Sequence, residues 1–502
     1  MVLFLLFIQL VFILFLIAGT HMIFSYLNIF FRGLSLIVCI YILNRQTKYA
    51  YKLLWIFVIL LFPIFGGIVY VFFQTQFTSR KLRRQVQRSN IQYETLFSPK
   101  GDTEVDLNDE NKDNLPLIKY LNNYAKYPVY KNTQAVYCDS GEKFFELLLE
   151  ELEKAEKYIF MEFFVLRQGE MFDPIIDILE RKARQGLDIR MIYDDVGCFT
   201  SLPPNFNTFL EEKGIKCLVF NPFKAILTSS QNNRDHRKIV SIDGKTAFTG
   251  GINLADEYIN AEDRFGHWKD AAIMIQGMAA WSLTLIFLHM WNLEKSRQED
   301  PMSFYPWKNN EGEFVPCGVK SDGLVQPYAD SPFDSEHVGE NVYIHIFKNA
   351  KNYVYINTPY LVVDDTLLSS LILSAKSGVD VRIITPYRWD KIILGIVSRS
   401  YYRHLINSGV KVYEYTKGFN HSKTFISDDR VATVGTTNLD FRSLYLHFEC
   451  GVCLYNNSAI EKIKEDFLNT LLVCRQITLR DCSRNTLQNI VQDVLRVFAP
   501  IL

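Results

Sequence analysis

The sequence predicts an α/β protein with two related halves behind an apolar N-terminus. A motif of His, Lys, Asp and Asn occurs twice with the same internal spacing. A matching series of strand-like and helix-like segments precedes each copy. Apolar residues are concentrated within the first 75 positions. Together these observations predict two pseudo-symmetric α/β/α repeats with one site between them, preceded by transmembrane helices.

Three N-terminal stretches are almost free of charge: Val2 to Ala18, Ser25 to Leu43 and Leu53 to Phe73. A helix needs about 20 residues to cross a bilayer, so the third stretch is long enough and the first two have less margin. The first stretch lacks the basic flank and the small-residue cleavage site of a secretory signal, which favours a retained segment. We therefore expect a membrane anchor over residues 1–75 with two or three hydrophobic segments.

Basic residues stand on both sides of the third stretch. Arg45, Lys48 and Lys52 precede it, and Arg80, Lys81, Arg83, Arg84 and Arg88 follow it. The larger cluster follows, which predicts that the rest of the chain faces the cytoplasm. Because both flanks are basic, a kinked span and a re-entrant hairpin at Pro63, Gly66 and Gly67 both stay open. Residues 76–115 are first basic and then polar, which is typical of a linker.

The segments upstream of the two motifs correspond in order. In the first half, strands begin near Lys157, Gly186 and Gly214, and a helix runs from about Pro174 to Arg184. In the second half, strands begin near Asn352, Gly378 and Gly409, and a helix runs from about Thr366 to Ser377. This alternation predicts a mostly parallel sheet in each repeat. We expect the repeats at residues 116–310 and 311–502, the second ending in an amphipathic helix.

The repeated motif predicts a shared site for a phosphate group. Its two copies are His236, Lys238, Asp243 and Asn253, and His421, Lys423, Asp428 and Asn438. Side chains two apart on a strand point to the same face, so His and Lys of each copy are expected side by side. An imidazole beside an ammonium suits a phosphate. Two copies therefore predict one site built from both halves.

These residues resemble the phospholipase D superfamily, whose duplicated H-x-K-x4-D signature is complete in both halves. Asn233-Arg-Asp-His-Arg-Lys, Gly250-Gly-Ile-Asn, the apolar run from Trp55 and the closing Val497-Phe-Ala-Pro-Ile-Leu are similar to the bacterial cardiolipin synthases within it. The resemblance covers nearly the whole chain. It implies phospholipase D-type repeats in a bacterial cell membrane, and transfer of a phosphatidyl group between two molecules of phosphatidylglycerol.

The resemblance also implies a mechanism through a phosphohistidine. His236 is implied as the nucleophile and His421 as the acid and base, and the near symmetry of the motifs leaves the reverse order open. Lys238 and Lys423 are implied to hold the phosphate as point charges. The partners implied are phosphatidylglycerol and membrane lipid, with no metal and no other cofactor.

Other polar residues are implied to complete the site. Asn253 and Asn438 would donate hydrogen bonds to phosphate oxygens. Asp270 and Glu449 would orient the imidazoles, as their family counterparts do. Asp243 and Asp428 belong to the catalytic signature. Each stands five residues beyond its Lys, on the opposite strand face, which favours a structural ion pair.

Two positions depart from the family pattern. His447 stands where many relatives have Asn, two residues before Glu449, and Ala271 follows Asp270 where many have Thr. Both departures bear on lipid or acceptor specificity. For His447 itself we expect a structural histidine with hydrogen-bonded nitrogens.

Alternative functions differ in how well the sequence fits them. A hydrolytic phospholipase D and a transferase with another alcohol acceptor would keep every residue named above, so both stay open. A nucleic-acid phosphodiesterase is disfavoured because the formal net charge is −1, which gives no overall basic field for a polyanion. A silent membrane scaffold is disfavoured because both motifs are complete. Cys450 and Cys453 lack the second pair typical of a zinc site, and we expect buried small hydrophobes there.

Overall fold

A computed structural model shows how the chain folds. It describes residues 22–45, 47–62, 66–67, 70, 83–89, 93, 96–97, 112–223, 229–293, 299–308, 311, 313–315, 317–320, 322–334, 336–483 and 486–501. The predicted segment from Val2 to Ala18 lies outside these residues, as does most of the predicted linker over residues 76–115.

Two helices form most of the described N-terminal region: α1, Met22–Leu43, and α2, Tyr49–Leu61. Directly before α2, the Nζ atom of Lys48 lies 2.6 Å from Oε1 of Glu340 and 3.0 Å from Oδ2 of Asp364. These ion pairs tie the N-terminal region to the second half of the chain. Within the described ranges, no helix combines the length and the apolar character needed to cross a membrane. The transmembrane helices stay a prediction.

The first repeat is an α/β unit. Its strands are β1 Thr133–Cys138, β2 Tyr158–Phe163, β3 Asp188–Asp194, β4 Lys216–Phe220, β5 Ile239–Ile242, β6 Thr246–Gly250, β7 His267–Lys269 and β8 Ala272–Gly277. Its helices are α3 Leu115–Asn123, α4 Gly141–Glu153, α5 Phe172–Arg184, α6 Asp195–Cys198, α7 Phe206–Glu212 and α8 Ala280–Trp291, with 3-10 turns at Ser229–Asn232, Asp256–Ile259 and Pro301–Phe304. All strands except β7 form one sheet in the order β1-β8-β6-β5-β2-β3-β4.

The second repeat has the same plan. Its strands are β9 Leu324–Asp330, β10 Tyr353–Asn357, β11 Leu361–Val362, β12 Asp380–Pro386, β13 Lys411–Tyr415, β14 Gly418–Asn420, β15 Thr424–Ser427, β16 Val431–Gly435, β17 Leu439–Asp440, β18 Glu449–Tyr455 and β19 Cys474–Gln476. Its helices are α9 Val338–Asn349, α10 Asp365–Lys376, α11 Ile392–Asn407, α12 Phe441–Tyr445, α13 Ala459–Leu471 and α14 Thr486–Val497, with a 3-10 turn at Ala499–Ile501. Eight strands form a sheet in the order β19-β13-β12-β10-β15-β16-β18-β9.

The two sheets correspond strand by strand, which confirms the predicted α/β repeats. Reversing the first order gives β4-β3-β2-β5-β6-β8-β1, which matches β13-β12-β10-β15-β16-β18-β9. The prediction of mostly parallel sheets is wrong. Within these two sheets, only β2, β3 and β4, and their counterparts β10, β12 and β13, pair in parallel, and the other neighbours are antiparallel. The reason is a short hairpin after each motif, which forces the next strand to run back.

Apolar side chains join the two repeats into one body. Ala247 and Ile273 of the first repeat belong to the same buried cluster as Val434 and Val452 of the second. Strands β6 and β18 meet directly, since the Thr249 hydroxyl lies 3.3 Å from the Sγ atom of Cys450. Cys450 and Cys453 are buried free thiols, as expected. The interface therefore holds the two sheets at a fixed separation.

The C-terminal helix α14 lies on the surface. Its apolar residues Ile490, Val491, Val494 and Val497 are exposed. Its side-chain anchor is Gln492, whose Nε2 atom donates to the backbone carbonyl of Ile396 on α11 at 3.0 Å. The amphipathic helix at this end stays a prediction, and these four apolar side chains are not part of the core.

The motif aspartates close the two hairpins. The Asp243 carboxylate accepts hydrogen bonds from the backbone amides of residues 156–158, each at 2.8 Å. The Asp428 carboxylate accepts equivalent bonds from residues 351–353 at 2.6–2.9 Å. The expected ion pair is wrong, because the partners are backbone amides that the preceding turn leaves unpaired. The seven positions from His236 to Asp243 are largely extended and span about 20 Å. Asp243 therefore lies away from the imidazole.

The Asp243→Ala variant should lower the free energy of unfolding by about 3 kcal/mol, since three amides lose a charged acceptor. Asp243→Asn should lower the free energy of unfolding by less, because Asn keeps one acceptor oxygen and tolerates the positive φ of 51° at this position. Urea denaturation followed by circular dichroism measures both. Asp177→Ala, at an exposed position of α5, is the control. Equal stability of Asp243→Ala and the control would contradict the assigned role.

Candidate active site

The two His-Lys pairs lie just before the strands on which they were predicted. His236 and Lys238 precede β5, and His421 and Lys423 precede β15. All four side chains are buried. Each lysine ammonium donates to the backbone carbonyl of its own histidine, at 2.6 Å for Lys238. The pairs are thus in segments that lead directly into strands of their own sheets.

These segments are held by the opposite repeat. The His236 amide donates to the Phe448 carbonyl at 3.0 Å, and the His421 amide donates to the Lys269 carbonyl at 2.7 Å. Around the second contact, β14 and β7 form a parallel two-stranded sheet. The residue after each of these carbonyls is an acid, Glu449 or Asp270. The backbone register therefore carries one acid of each repeat to the imidazole of the other.

Both imidazoles meet the predicted orienting carboxylates, and both pairs cross the interface. His236 Nδ1 lies 2.9 Å from Oε1 of Glu449 and 3.1 Å from Oε2. His421 Nδ1 lies 2.6 Å from Oδ2 of Asp270. Both carboxylates are fully buried. With Nδ1 engaged in each ring, Nε2 is the nitrogen that can face a substrate.

The electrostatics of the pocket favour an anionic ligand. Burial, with Lys423 nearby, lowers the pKa of His421 to about 4, although Asp270 opposes this. Burial lowers the pKa of Lys423 to about 7 and that of Lys238 to about 8. Each of these groups is therefore easier to deprotonate than in water. An incoming phosphate would reverse the shifts, because an opposite charge nearby favours the protonated form.

The two motif asparagines have different surroundings. The Asn253 amide donates to the Tyr258 hydroxyl at 2.6 Å, and its oxygen accepts from the Val165 amide at 3.0 Å. The Oδ1 atom of Asn438 is buried and has no hydrogen-bond partner within the described residues. Asn253 thus positions the loop after β2. The hydrogen bond from Asn438 to a phosphate oxygen stays a prediction.

His447 lies beside His236, with ring centroids 5.6 Å apart. Both of its nitrogens are buried, and neither has a hydrogen-bond partner among the residues described. The expectation of a hydrogen-bonded structural histidine is wrong. The corresponding neighbour of His421 is Trp268, with centroids 5.3 Å apart, two residues before Asp270 as His447 is two before Glu449. Sequence reasoning missed Trp268, although this shared offset could have identified it.

One group in the described part of the chain could hold a metal ion: His236, His447 and Glu449. Their potential ligand atoms lie within 4.8 Å of one another. Glu449 is already paired with His236 through Nδ1, and the cation of Lys238 is close enough to lower the pKa of His236 further, after burial. A second cation is disfavoured beside an ammonium. The arrangement suits an anion better.

Comparison with known proteins agrees with this geometry. The family described as "Cardiolipin synthase, PLD-like domain" matches residues 148–277 and 343–471, and the one described as "Phospholipase D-nuclease N-terminal" matches residues 33–74. An uncharacterized protein of Streptococcus mutans is 40% identical over 92% of this chain and 99% of its own. A cardiolipin synthase of Alkalihalophilus pseudofirmus is 31% identical over 96% of this chain and 94% of its own.

The chain belongs to the cardiolipin synthase family of phospholipase D-like proteins. A second relative, cardiolipin synthase 2 of Bacillus anthracis, is 32% identical over 93% of this chain and 91% of its own. The crystal structure of the phosphatidylserine synthase of Haemophilus influenzae has the same fold, with a TM-score of 0.58. The match covers 79% of this chain and 100% of the H. influenzae chain at 15% identity. This likeness concerns the fold alone.

The lowered pKa values of the lysines predict that oxyanion binding weakens as pH rises. Tungstate is a suitable probe, since its charge is constant above about pH 6. Its affinity should fall by about tenfold or more from pH 7 to pH 9, because Lys423 and Lys238 lose protons through about 7 and 8. Isothermal titration calorimetry measures this. The Lys423→Met variant should bind tungstate more weakly and should lack the fall in affinity near pH 7. An affinity of the wild-type protein that is independent of pH would contradict the assignment.

Proposed function

We propose that this protein is a cardiolipin synthase. It transfers a phosphatidyl group from one phosphatidylglycerol to a hydroxyl of a second, giving cardiolipin and glycerol. The observation that carries the proposal is the match to the cardiolipin synthase of A. pseudofirmus over 96% of this chain and 94% of that protein. Two His-Lys pairs facing buried carboxylates supply the chemistry that such a transfer needs.

In the first step His236 acts as the nucleophile. Its Nε2 atom attacks phosphorus, and a nitrogen–phosphorus bond forms as the bond to the glycerol oxygen breaks. His421, protonated, gives its proton to that oxygen, so glycerol leaves as a neutral alcohol. The low pKa of His236, caused first by burial, keeps its lone pair available. Asp270 beside His421 supports the imidazolium needed for protonation.

In the second step the roles of the groups reverse. His421 takes the proton from a hydroxyl of the second phosphatidylglycerol as that oxygen attacks phosphorus. The nitrogen–phosphorus bond breaks, and its electron pair returns to His236. Lys238 and Lys423 balance the phosphate charge, and Asn253 and Asn438 border it. One phosphodiester replaces another, so no nucleotide or metal is required.

Exclusion of water decides between transfer and hydrolysis. The reacting imidazoles are each 7% exposed, and the acids behind them are fully buried. A dry pocket protects the intermediate from water and lets a lipid alcohol compete. This burial supports a transferase over a hydrolase built from the same residues.

The membrane location is part of the proposal. Residues 1–75 would anchor the enzyme as a multi-pass segment in a bacterial cell membrane, with residues 76–115 as linker and the repeats at 116–310 and 311–502 in the cytoplasm. Support comes from the match of residues 33–74 to the phospholipase D-nuclease N-terminal family. Exposed apolar side chains on α1, such as Ile29, Phe30 and Ile37, suit contact with lipid.

The direct test is to incubate detergent-solubilised protein with phosphatidylglycerol alone, in EDTA, and to follow the lipid products and free glycerol. Cardiolipin and glycerol in equal amounts are expected. Phosphatidic acid with no cardiolipin would mean that water is the acceptor and would overturn the synthase assignment. Loss of all turnover in EDTA, restored by a metal ion, would overturn the metal-free mechanism.

The order of the two histidines can be tested with phosphatidyl p-nitrophenol, whose leaving group needs no acid. His421→Ala should still release about one p-nitrophenol per chain in a rapid burst, because His236 can attack unaided. His236→Ala should release none. Both variants should fail with phosphatidylglycerol and keep the wild-type circular dichroism spectrum. A burst in His236→Ala, with none in His421→Ala, would exchange the roles.

A further inference from the structure

His447 is fixed beside His236 by the backbone of both repeats. The Asn233 side-chain amide donates to the Leu446 carbonyl at 3.0 Å, and the Phe448 amide donates to the Arg234 carbonyl at 2.8 Å. His447 stands between these two contacts, and its own amide donates to the Arg442 carbonyl at 2.9 Å. The main chain on both sides of His447 is therefore pinned to the segment that leads into His236.

The imidazole of His447 has hydrogen-bonding capacity that the protein does not use. Its side chain is 11% exposed, yet neither nitrogen has a hydrogen-bond partner among the described residues. The distance from Nδ1 of His447 to Oε1 of Glu449 is 3.9 Å, which is too long for a hydrogen bond. Buried polar groups in native proteins are normally paired. An unpaired ring at this place points to a partner that arrives with the substrate.

The charge around His447 identifies the kind of partner. Burial first, and then the cations of Arg442, Lys391, Lys238 and Arg234, hold the pKa of His447 well below its ordinary value. The ring is therefore neutral at neutral pH and offers one N–H donor and one acceptor. The N–H donor of His447, surrounded by these cations, suits an anionic oxygen.

The two halves of the site differ at this position. Trp268 occupies the equivalent place beside His421, and its Nε1 atom lies 3.5 Å from Oδ2 of Asp270 within its own repeat. Trp268 thus directs its N–H toward the orienting acid, whereas His447 leaves both nitrogens unpaired. Of these two residues, only His447 has an unused donor, and it stands on the His236 side of the pocket. This asymmetry matches a mechanism in which one imidazole carries the phosphoryl group.

We propose that His447 is a further catalytic residue, whose N–H donates a hydrogen bond to a non-bridging oxygen of the phosphoryl group on His236. This rests on the proposed function. The donor stabilises the charge that builds on this oxygen as the nitrogen–phosphorus bond forms and breaks. In a site that excludes water, such a donor has a large effect on rate. The ring remains neutral throughout, and no proton moves to or from it.

The test compares His447→Phe, which keeps a ring without a donor, with His447→Asn, which keeps an N–H donor without the ring. His404→Phe is the matched control, since His404 is an exposed histidine of the same repeat. With phosphatidylglycerol as substrate, His447→Phe should lower kcat by about 100-fold and leave KM within about threefold. His447→Asn should stay within about fivefold of wild type, and the control should be unchanged.

Thermal unfolding separates a catalytic effect from a structural one. All three variants should unfold within a few degrees of wild type. Wild-type kcat in His447→Phe, or an equal loss in His447→Phe and His447→Asn, would overturn the role of the donor. Wild-type activity that is lost in EDTA and restored by Zn²⁺ would assign His447 to a metal instead. Failure of the wild-type protein to make cardiolipin would contradict the proposed function, and tungstate binding by the same variants would then report on the donor.

Discussion

The site depends on backbone hydrogen bonds that cross between the repeats. His236 donates its amide to Phe448, and His421 donates its amide to Lys269. Each bond holds a His-Lys segment against the opposite repeat and places the next residue of that repeat, Glu449 or Asp270, against the imidazole. Within the described residues, neither motif histidine takes its carboxylate partner from its own repeat. Separation of the two halves would therefore remove both pairs at once, which makes the apolar interface between the sheets part of the active site.

The same crossing explains how buried cations are tolerated. Lys238 and Lys423 are 2% and 1% exposed, and burial of an ammonium without compensation costs several kcal/mol. Carbonyl groups of the neighbouring histidines and two buried acids supply part of the compensation. The lowered pKa values of both lysines indicate that the compensation is incomplete. A phosphodiester would complete it, so the pocket is organised for an anion before one binds.

Particular residues explain how far sequence reasoning reached. The duplicated motif predicted a joint site, because equal spacing in two similar halves implies a pseudo-symmetric arrangement. It could not predict which acid meets which histidine, since that depends on the pairing of residues more than 150 positions apart along the chain. The positive φ values of Asp243 and Asp428 mark the tight hairpins that make the sheets mixed, and the alternating pattern does not reveal them. His447 was misjudged because its missing partners are visible only in three dimensions.

In the proposed mechanism the two motifs form one site with one carrier of the phosphatidyl group. The decisive measurement is to quench the working enzyme in denaturant at neutral pH and to determine the intact mass and the modified peptide by mass spectrometry. At most one phosphatidyl group per chain is expected, bound to His236, with none on His421. Two groups per chain, or modification of both histidines in the same preparation, would contradict it.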